Sequence, residues 1–508
     1  MADTSGETHS IWPATAEMPT GSPLTENIHA EVCIVGAGIA GMTTAYLLAR
    51  EGKSVAVLED GRIGGGMTER TTAHLSSAID DRYVEIERMH GEKGAQLAAE
   101  SHAAAIDRIE EIALEEQIDC NFERLDGYLF VPPGESTEIL DRELQAARRA
   151  GLAGVEMVER APLSFDTGKC LRFPRQGQFH PLKYLAGLAR ALVRQGGRIF
   201  TGTHVTAMAG GDAARVEADR GYTVKTSNIV VATNTPINNL VTIHTKQASY
   251  TTYVIGARIP PGSVTRALFW DTADPYHYVR LHSVGDHDLL IVGGEDHKTG
   301  QADDGAARLA RLEVWARERF PAISGIEYRW SGQVMEPIDG VAFIGRNPAD
   351  SRNVYIATGD SGMGMTHGTI AGMLITDLIA GRRNPWVDLY DPSRKSLLAL
   401  GQFMQENINV SAQYLGDYLS GGDVASVDEI VPDGGAVIQR GLKKIAVYRD
   451  GQGVLSQRSA MCTHLGCIVS WNSLEKTWDC PCHGSRYDRY GGIINGPANS
   501  DLSPVEEE

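Results

Sequence analysis

The sequence predicts an α/β fold over residues 31–390, followed by a helical linker over 391–421 and a small all-β domain over 422–508. Strand-like and helix-like segments alternate through the first part, beginning with an apolar strand that runs directly into a glycine-rich turn and a helix. From about residue 424 the pattern changes to short strands separated by Gly/Asp turns. Residues 1–30 are rich in Ser, Thr, Pro and Gly and are predicted to be a flexible leader.

The first element is a dinucleotide-binding fingerprint. A strand over residues 31–35 leads into a glycine turn and a helix, and a second strand over 54–58 ends at Glu59, which is placed to accept hydrogen bonds from ribose hydroxyls. The first glycine permits a tight turn, the second lets the backbone approach a pyrophosphate at the helix N-terminus, and the third lets helix and strand pack closely. The turn residues are Gly36, Gly38, Ile39, Ala40 and Gly41, with Ala37 between the first two.

Three later segments extend this pattern. A glycine-rich stretch over residues 60–75 follows Glu59, a strand-like run ends near residue 234, and residues 353–368 form a strand, a glycine-rich turn and the start of a helix. In these features the chain resembles the D-amino-acid oxidase/glycine oxidase superfamily of flavoproteins. The resemblance covers about residues 31–390. It implies a Rossmann-like FAD-binding domain interleaved with an α+β substrate domain.

The resemblance implies FAD as the cofactor and adds contacts to those of the fingerprint. Gly-rich backbone before the last helix also aims N–H donors at the electron-rich edge of reduced flavin. No second G-x-G-x-x-G follows a strand, so no NAD(P)H domain is evident. The added contacts are Asp60, Thr71, Thr72, Ala73, His74, Val205, Ala232, Thr233, Gly359, Gly362, Met363, Gly364, Met365 and Thr366.

Four of the seven cysteines lie between residues 462 and 482. Cys462-x-His464 and Cys480-x-x-His483 supply one Cys and one His from each of two loops, which is the ligand set of a Rieske [2Fe–2S] centre. Zinc is the alternative, because Cys₂His₂ also binds Zn²⁺, but zinc sites usually place the two Cys together and the two His together.

The region around these ligands resembles the Rieske proteins of respiratory and photosynthetic chains. That resemblance implies a small antiparallel β domain over residues 422–508, a disulfide between Cys467 and Cys482, and hydroxyl groups of Ser485 and Tyr487 that bond to cluster sulfurs. Hydrogen bonds to sulfur stabilise the more negative reduced cluster and raise its potential. A disulfide would be unusual in the cytosol.

Composition excludes several classes of protein. The 508 residues include 47 Lys+Arg and 65 Asp+Glu, a formal charge of −18 that argues against nucleic acid or anionic lipid as a partner. The 42% hydrophobic and 22% charged residues exclude a disordered chain. No apolar run approaches the ~20 residues of a membrane span. No secretory signal is visible, so a cytoplasmic protein is expected.

The resemblance implies a dehydrogenase that takes a hydride from a carbon next to nitrogen in a small amine or amino acid. Flavin accepts two electrons and the cluster one, so electrons would pass singly to the cluster and then to an external acceptor, a protein or a quinone. A fused acceptor is redundant if O₂ alone reoxidises the flavin, which favours a dehydrogenase over an oxidase. The main alternative is an electron-transfer flavoprotein or reductase that supplies a separate oxygenase or other acceptor.

Two further classes are disfavoured. A redox sensor does not need a two-lobed substrate fold. A Rieske oxygenase needs a mononuclear iron site of two His and a carboxylate, for which no convincing segment is found.

The candidate substrate residues are less sharply defined. His74 follows the glycine-rich segment and is expected to face the flavin, although a structural histidine fits the pattern equally well. Arg280 lies in an alternating strand and is a candidate anchor for a substrate carboxylate, although an ordinary ion pair is the commoner role. Further candidates are Lys246, Tyr253, Tyr276, Tyr278, His282, Trp330, Gln333 and His367.

Overall fold

The computed structural model describes residues 5–238, 243–348, 350–395, 408–409, 413 and 421–505. Its helices are α1 (Ile39–Arg50), α2 (Arg82–Glu115, kinked at Gly91), α3 (Glu138–Arg149), α4 (Pro181–Arg194), α5 (Gly305–Arg319), α6 (Gly364–Ile379) and α7 (Val387–Tyr390). In the part of the chain that is described, no helix is long and apolar enough to cross a membrane.

The strands are numbered in chain order. Those of the first 300 residues are β1 (Ile28–His29), β2 (Val32–Val35), β3 (Val55–Leu58), β4 (His74–Leu75), β5 (Glu123–Phe130), β6 (Glu156–Val158), β7 (Cys170–Gln178), β8 (Arg198–Phe200), β9 (Val205–Ala209), β10 (Arg215–Ala218), β11 (Thr223–Lys225), β12 (Asn228–Val231), β13 (Gln247–Ile259), β14 (Leu268–Asp271), β15 (His277–Val284) and β16 (His287–Lys298). The later strands are β17 (Gly325–Pro337), β18 (Phe343–Arg346), β19 (Val354–Thr358), β20 (Gly434–Arg440), β21 (Lys443–Arg449), β22 (Leu455–Ser459), β23 (Ser470–Asn472), β24 (Thr477–Asp479), β25 (Arg486–Asp488) and β26 (Ile493–Asn495).

A six-stranded sheet forms the centre of the first lobe. Its order is β18-β19-β12-β2-β3-β8, and every pair is parallel except β18 with β19. Val32 and Ile34 point into the core beneath α1 and α6, whereas Cys33 and Val35 point into the core beneath the small sheet β1-β11-β10-β9. Because both faces are covered, these strands are apolar throughout rather than alternating.

The second lobe is built on a larger, mostly antiparallel sheet of order β17-β13-β16-β15-β14-β5-β7-β4, with β6 added beside β7. Helix α5 packs on β13 and β16 through an apolar core of its own that includes Leu309 and Leu312. The strands of the two lobes interleave along the chain. The predicted α/β lobes and antiparallel C-terminal domain are therefore confirmed.

The C-terminal domain consists of two small antiparallel sheets, β20-β21-β22 and β23-β24-β25-β26. Trp471 and Trp478 pack between them at a ring distance of 4.8 Å. The helical linker predicted for residues 391–421 lies mainly outside the described residues.

The prediction of a flexible leader is wrong for residues 5–30. Ile11 and Trp12 are completely buried in the core of the first domain, and Leu24 is buried in the core on the other side of the parallel sheet. The indole N–H of Trp12 donates to the carbonyl oxygen of Thr71 at 2.7 Å. A few apolar anchors in an otherwise polar segment are enough to hold it, because each buried side chain of this size contributes about 1.5–3 kcal/mol.

A buried ion pair joins the first domain, the N-terminal segment and the C-terminal domain. Arg70 contacts Glu475 at 3.1 Å, and both side chains are almost fully buried. The Glu475 carboxylate also accepts from the hydroxyl groups of Thr8 and Ser331, and Arg70 donates to the Ser331 carbonyl oxygen at 2.8 Å. Burial by itself would raise the pKa of Glu475, but the charges of Arg70 and Arg486 outweigh it and lower that pKa to about 2.

We expect Glu475→Gln to lower the free energy of unfolding by about 3–5 kcal/mol at neutral pH, because it leaves the Arg70 charge buried without a partner. The native contribution of Glu475 is full above its unfolded pKa of 4.5 and is lost as the pH falls towards 2. Urea unfolding of the holoprotein at several pH values measures both effects.

The matched control is Glu85→Gln, which removes an exposed helical pair with Arg88. Such pairs contribute about 0.3–0.5 kcal/mol. Equal losses of stability in the two variants would contradict a structural role for the buried pair.

Candidate cofactor cavity and metal centre

A cavity of about 350 Å³ lies where the parallel strands end. Val35, Leu58, Ala232 and Thr358, at or next to the carboxyl ends of β2, β3, β12 and β19, line it. This edge of an open parallel sheet is where nucleotide ligands bind. Residues of the second lobe close the opposite side, so the cavity lies between the two lobes.

The glycine turn has the close packing that the fingerprint requires. Gly36 has a φ of +103°, and a Cβ atom there would lie 2.4 Å from the carbonyl oxygen of Ala232. A Cβ on Gly41 would lie 2.0 Å from the Gly36 carbonyl oxygen. Gly38 is the N-cap of α1 and lines the cavity. The twelve-residue helix therefore presents its N-terminus to the cavity, as binding of a pyrophosphate requires.

Glu59 is held at the cavity wall by the backbone. The amides of Ala37 and Gly61 donate to its two oxygens at 2.6 and 3.0 Å. Burial raises the pKa of this carboxyl group, and these hydrogen bonds oppose the increase. The donor set and the helix N-terminus fit an adenine dinucleotide.

Most of the predicted FAD contacts line this cavity, and three do not. Gly41 is used for packing between α1 and the sheet. Ala73 is fully buried behind the wall. The hydroxyl of Thr366 bonds to His102 and to the Met363 carbonyl oxygen. The contacts that do line the cavity are Gly36, Gly38, Ile39, Ala40, Glu59, Asp60, Thr71, Thr72, His74, Val205, Ala232, Thr233, Gly359, Gly362, Met363, Gly364 and Met365.

The end of the cavity in the second lobe is aromatic. Tyr276 and Tyr278 lie 5.5 Å apart by ring centroids, and His74 lies 5.8 Å from Tyr278 and 6.0 Å from Trp270. Burial, followed by the charge of Arg280, lowers the pKa of His74 to about 3, so this imidazole is neutral. Its Nε2 donates to the carbonyl oxygen of Val279 at 3.4 Å.

Arg280 does not reach the cavity, so the predicted role as a carboxylate anchor is wrong. Its guanidinium is buried behind His74 and donates through Nη1 to the carbonyl oxygens of Thr72, Ala73 and Phe179 at 3.0, 2.6 and 3.2 Å. The alternation of polar and apolar residues along the strand indicated which face of the sheet Arg280 occupies. It did not indicate that backbone carbonyl groups cover that face. Of the other candidates, Tyr276, Tyr278, Gln333 and His367 line the cavity, whereas Lys246, Tyr253, His282 and Trp330 do not.

Four acidic residues at the cavity wall were not predicted: Asp80, Asp296, Glu336 and Asp360. Asp360 lies inside the predicted flavin loop, and Asp80 follows the glycine-rich segment. Their positions next to these motifs could therefore have identified both as cavity residues. Asp296 and Glu336 lie on β16 and β17 and carry no sequence signal. Tyr276 donates to Asp80 at 2.9 Å, and Ser361 donates to Glu336 at 2.9 Å.

The predicted metal ligands come together in the C-terminal domain. Cys462, His464, Cys480 and His483 are all buried, and the two imidazole rings lie 5.0 Å apart. The Nδ1 atom of His483 is buried and has no hydrogen-bond partner among the described residues, which leaves it available to a metal. Two thiols and two imidazoles at this distance fit a [2Fe–2S] cluster of the Rieske type.

The residues around these ligands support the same site. Cys467 and Cys482 are joined by a disulfide. The hydroxyl of Tyr487 donates to the Cys462 sulfur at 3.3 Å. Ser485 Oγ accepts from the Ala498 amide at 3.0 Å.

The metal-binding domain forms part of the cofactor cavity. Its segment 493–499 contributes to the cavity wall, and Asn499 donates to the Val205 carbonyl oxygen at 2.9 Å. On the ligand side, His244 of the first domain packs against His464 and His483 at ring distances of 5.0 and 6.2 Å. The two sites therefore share one interface.

Comparison with known proteins agrees with this arrangement. Residues 31–378 match the model of the FAD dependent oxidoreductase family, and residues 422–506 match that of the Rieske [2Fe-2S] domain. YhfW of Bacillus subtilis, which is described as a Rieske 2Fe-2S iron-sulfur protein, is 30% identical to this chain, and the match covers 97% of each chain.

Two further relatives resemble the first domain. Gamma-glutamylputrescine oxidoreductase of Escherichia coli is 29% identical over 70% of this chain and 85% of its own. The structure of glycine oxidase from Geobacillus kaustophilus superposes with a TM-score of 0.60 at 19% identity, covering 73% of this chain and all of that one. At this identity the superposition shows the shared fold.

We expect Tyr487→Phe to lower the reduction potential of the metal centre without loss of iron, because a hydrogen bond to the Cys462 sulfur is removed. A redox titration followed by electron paramagnetic resonance measures the potential. Tyr490→Phe is the control, since Tyr490 is exposed and packs on Tyr448. A potential that is the same in both variants would contradict the tuning role.

Proposed function

The chain belongs to the family of FAD-dependent oxidoreductases and carries a C-terminal Rieske [2Fe–2S] domain, and we propose that it is an amine or amino-acid dehydrogenase. In this proposal it oxidises a C–N bond and passes the electrons singly through the Rieske centre to an external acceptor. The observation that carries the proposal is the position of the Rieske domain, which supplies one wall of the FAD cavity.

The substrate side of the proposal has two supports. Relatives of the first domain include proteins named for gamma-glutamylputrescine and for glycine, both of which contain an amino group. The cavity end beyond the flavin loop is lined by aromatic and polar side chains from the second lobe, as a site for a small organic molecule requires.

Bound FAD supplies a hydride acceptor at this site, and the [2Fe–2S] centre supplies a one-electron acceptor. A protonated amine must lose a proton from nitrogen before the neighbouring carbon can give up a hydride. Asp80 accepts this proton in our proposal, because it lines the cavity and burial raises its pKa to about 7. Loss of the hydride from the neutral amine leaves an iminium ion, which takes up water and yields a carbonyl compound and an ammonium ion.

The electron-transfer side rests on the contacts between the domains. His464 and His483 are 9% and 7% exposed because the first domain covers them. Gln333, which lines the FAD cavity, donates to the carbonyl oxygen of Gly484, next to the ligand His483, at 2.7 Å. Such contacts favour transfer within one chain. An acceptor built into the enzyme favours a dehydrogenase over an oxidase that relies on O₂.

We expect an amine substrate to bleach the flavin first and the cluster afterwards in anaerobic stopped-flow measurements. Cys480→Ser removes a cluster ligand and should leave flavin reduction within about twofold of wild type, while turnover with cytochrome c falls at least about tenfold. Cytochrome c is chosen because a protein of that size cannot enter the FAD cavity. Cys170→Ser, a change of the same kind in the second lobe, is the control.

Two results would contradict the proposal. Full turnover of Cys480→Ser with O₂ would place the cluster off the catalytic path and make the enzyme an oxidase. Rapid reduction of the cluster by NADH, with no amine or amino acid able to bleach the flavin, would favour an electron-transfer flavoprotein.

A further inference from the structure

The substrate end of the cavity is lined by four acidic side chains, and among the described residues no lysine lines the cavity. Asp80, Asp296, Glu336 and Asp360 reach it from four separate elements. A carboxylate group on a substrate would meet repulsion there, whereas an ammonium group would be attracted.

The basic side chains near the cavity are already paired. Among the described residues that line it, the arginines are Arg62 and Arg70, and no lysine is present. Arg62 pairs with Glu69, and Arg70 pairs with Glu475 of the Rieske domain. Both lie within the glycine-rich segment that follows Glu59. Among the residues that the structure describes, the cavity wall therefore has no lysine, and no arginine without an acidic partner, to anchor the carboxylate of an α-amino acid.

Among the four acidic residues at the substrate end, Asp296 has a carboxylate oxygen available to a ligand. The Oδ1 atom of Asp296 is buried and has no hydrogen-bond partner among the described residues, and Asp296 lines the cavity. A buried acceptor without a donor is destabilising, and a donor on a bound molecule would relieve this. Burial raises the pKa of Asp296 to about 6, although a hydrogen bond with Thr252 and the charge of Arg308 oppose the increase.

The aromatic side chains complete a site for a cation. Trp270, Tyr276 and Tyr278 line the same end of the cavity, and the neutral ring of His74 lies between Trp270 and Tyr278. Aromatic faces attract ammonium groups, most strongly where water is excluded. Carboxylates and aromatic rings together recognise an amine by its charge and its alkyl chain.

We propose that the substrate is an alkyl amine without a carboxylate group, and that diamines are preferred because several carboxylates face the cavity. This rests on the proposed function, since it names the class of amine that the FAD site oxidises. Asp80 and Asp296 determine the specificity: Asp80 lies beside the flavin loop, where its carboxylate approaches Gly362, and Asp296 lies beside Thr252 and Tyr278 on the far strands.

The test compares three four-carbon compounds that differ at one end: n-butylamine, 1,4-diaminobutane and 4-aminobutanoate, with glycine as an α-amino acid. Anaerobic flavin bleaching gives a second-order rate constant for each. We expect 1,4-diaminobutane to react fastest, and both carboxylates to react at least about tenfold more slowly than n-butylamine.

A binding measurement separates recognition from chemistry. Tetramethylammonium is a cation that the enzyme cannot dehydrogenate as an amine, and its Kd follows from the change in flavin absorption. We expect Asp80→Asn and Asp296→Asn each to raise this Kd about tenfold while the FAD content is unchanged. Asp286→Asn, at an exposed turn outside the cavity, is the control and should bind as wild type does.

The outcomes distinguish this inference from the function on which it rests. Faster bleaching by glycine or 4-aminobutanoate would overturn the inference and leave the amine or amino-acid dehydrogenase in place. An unchanged Kd in both aspartate variants would also overturn it. If no amine or amino acid bleaches the flavin, the proposed function fails and the inference fails with it.

Discussion

The arrangement of the whole molecule depends on the buried ion pair between Arg70 and Glu475. Removing either charge from water is costly, and the cost is met only when the partner and the surrounding hydrogen bonds are in place. Arg70 belongs to the segment that lines the FAD cavity, and Glu475 belongs to the turn between β23 and β24 of the Rieske domain. Thr8 of the N-terminal segment bonds to both. Each charge is therefore satisfied only in the docked arrangement.

This constraint makes the cavity a product of two domains. With the Rieske domain in place, segment 493–499 completes the wall on the nucleotide side, and the two histidine ligands face His244 rather than solvent. The second lobe completes the wall at the other end with aromatic and acidic side chains. In the proposed function, the contacts with the Rieske domain serve electron transfer, and the aromatic and acidic end of the cavity serves substrate recognition.

Local motifs predicted the parts of the structure that depend on neighbours in sequence. The glycine turn before α1 and the two Cys/His loops each act over a few residues, so spacing alone was informative. The predictions from sequence were wrong where contacts between residues far apart in the chain determine the position of a side chain. Trp12 is held by Thr71 and by a core formed much later in the chain, and Arg280 is held by carbonyl groups of Thr72 and Phe179. Asp296 and Glu336 reach the cavity only when β16 and β17 take their places in the sheet.

The central claim is that the Rieske domain is held in its electron-accepting position and does not need to move between FAD and cluster. The most direct test follows reduction of the cluster, after an amine has reduced the flavin, as sucrose raises the viscosity of the solvent. A fixed domain predicts a rate constant that does not change with viscosity, since electron transfer between docked sites involves no large displacement through solvent. A rate constant that falls in inverse proportion to viscosity would contradict the claim.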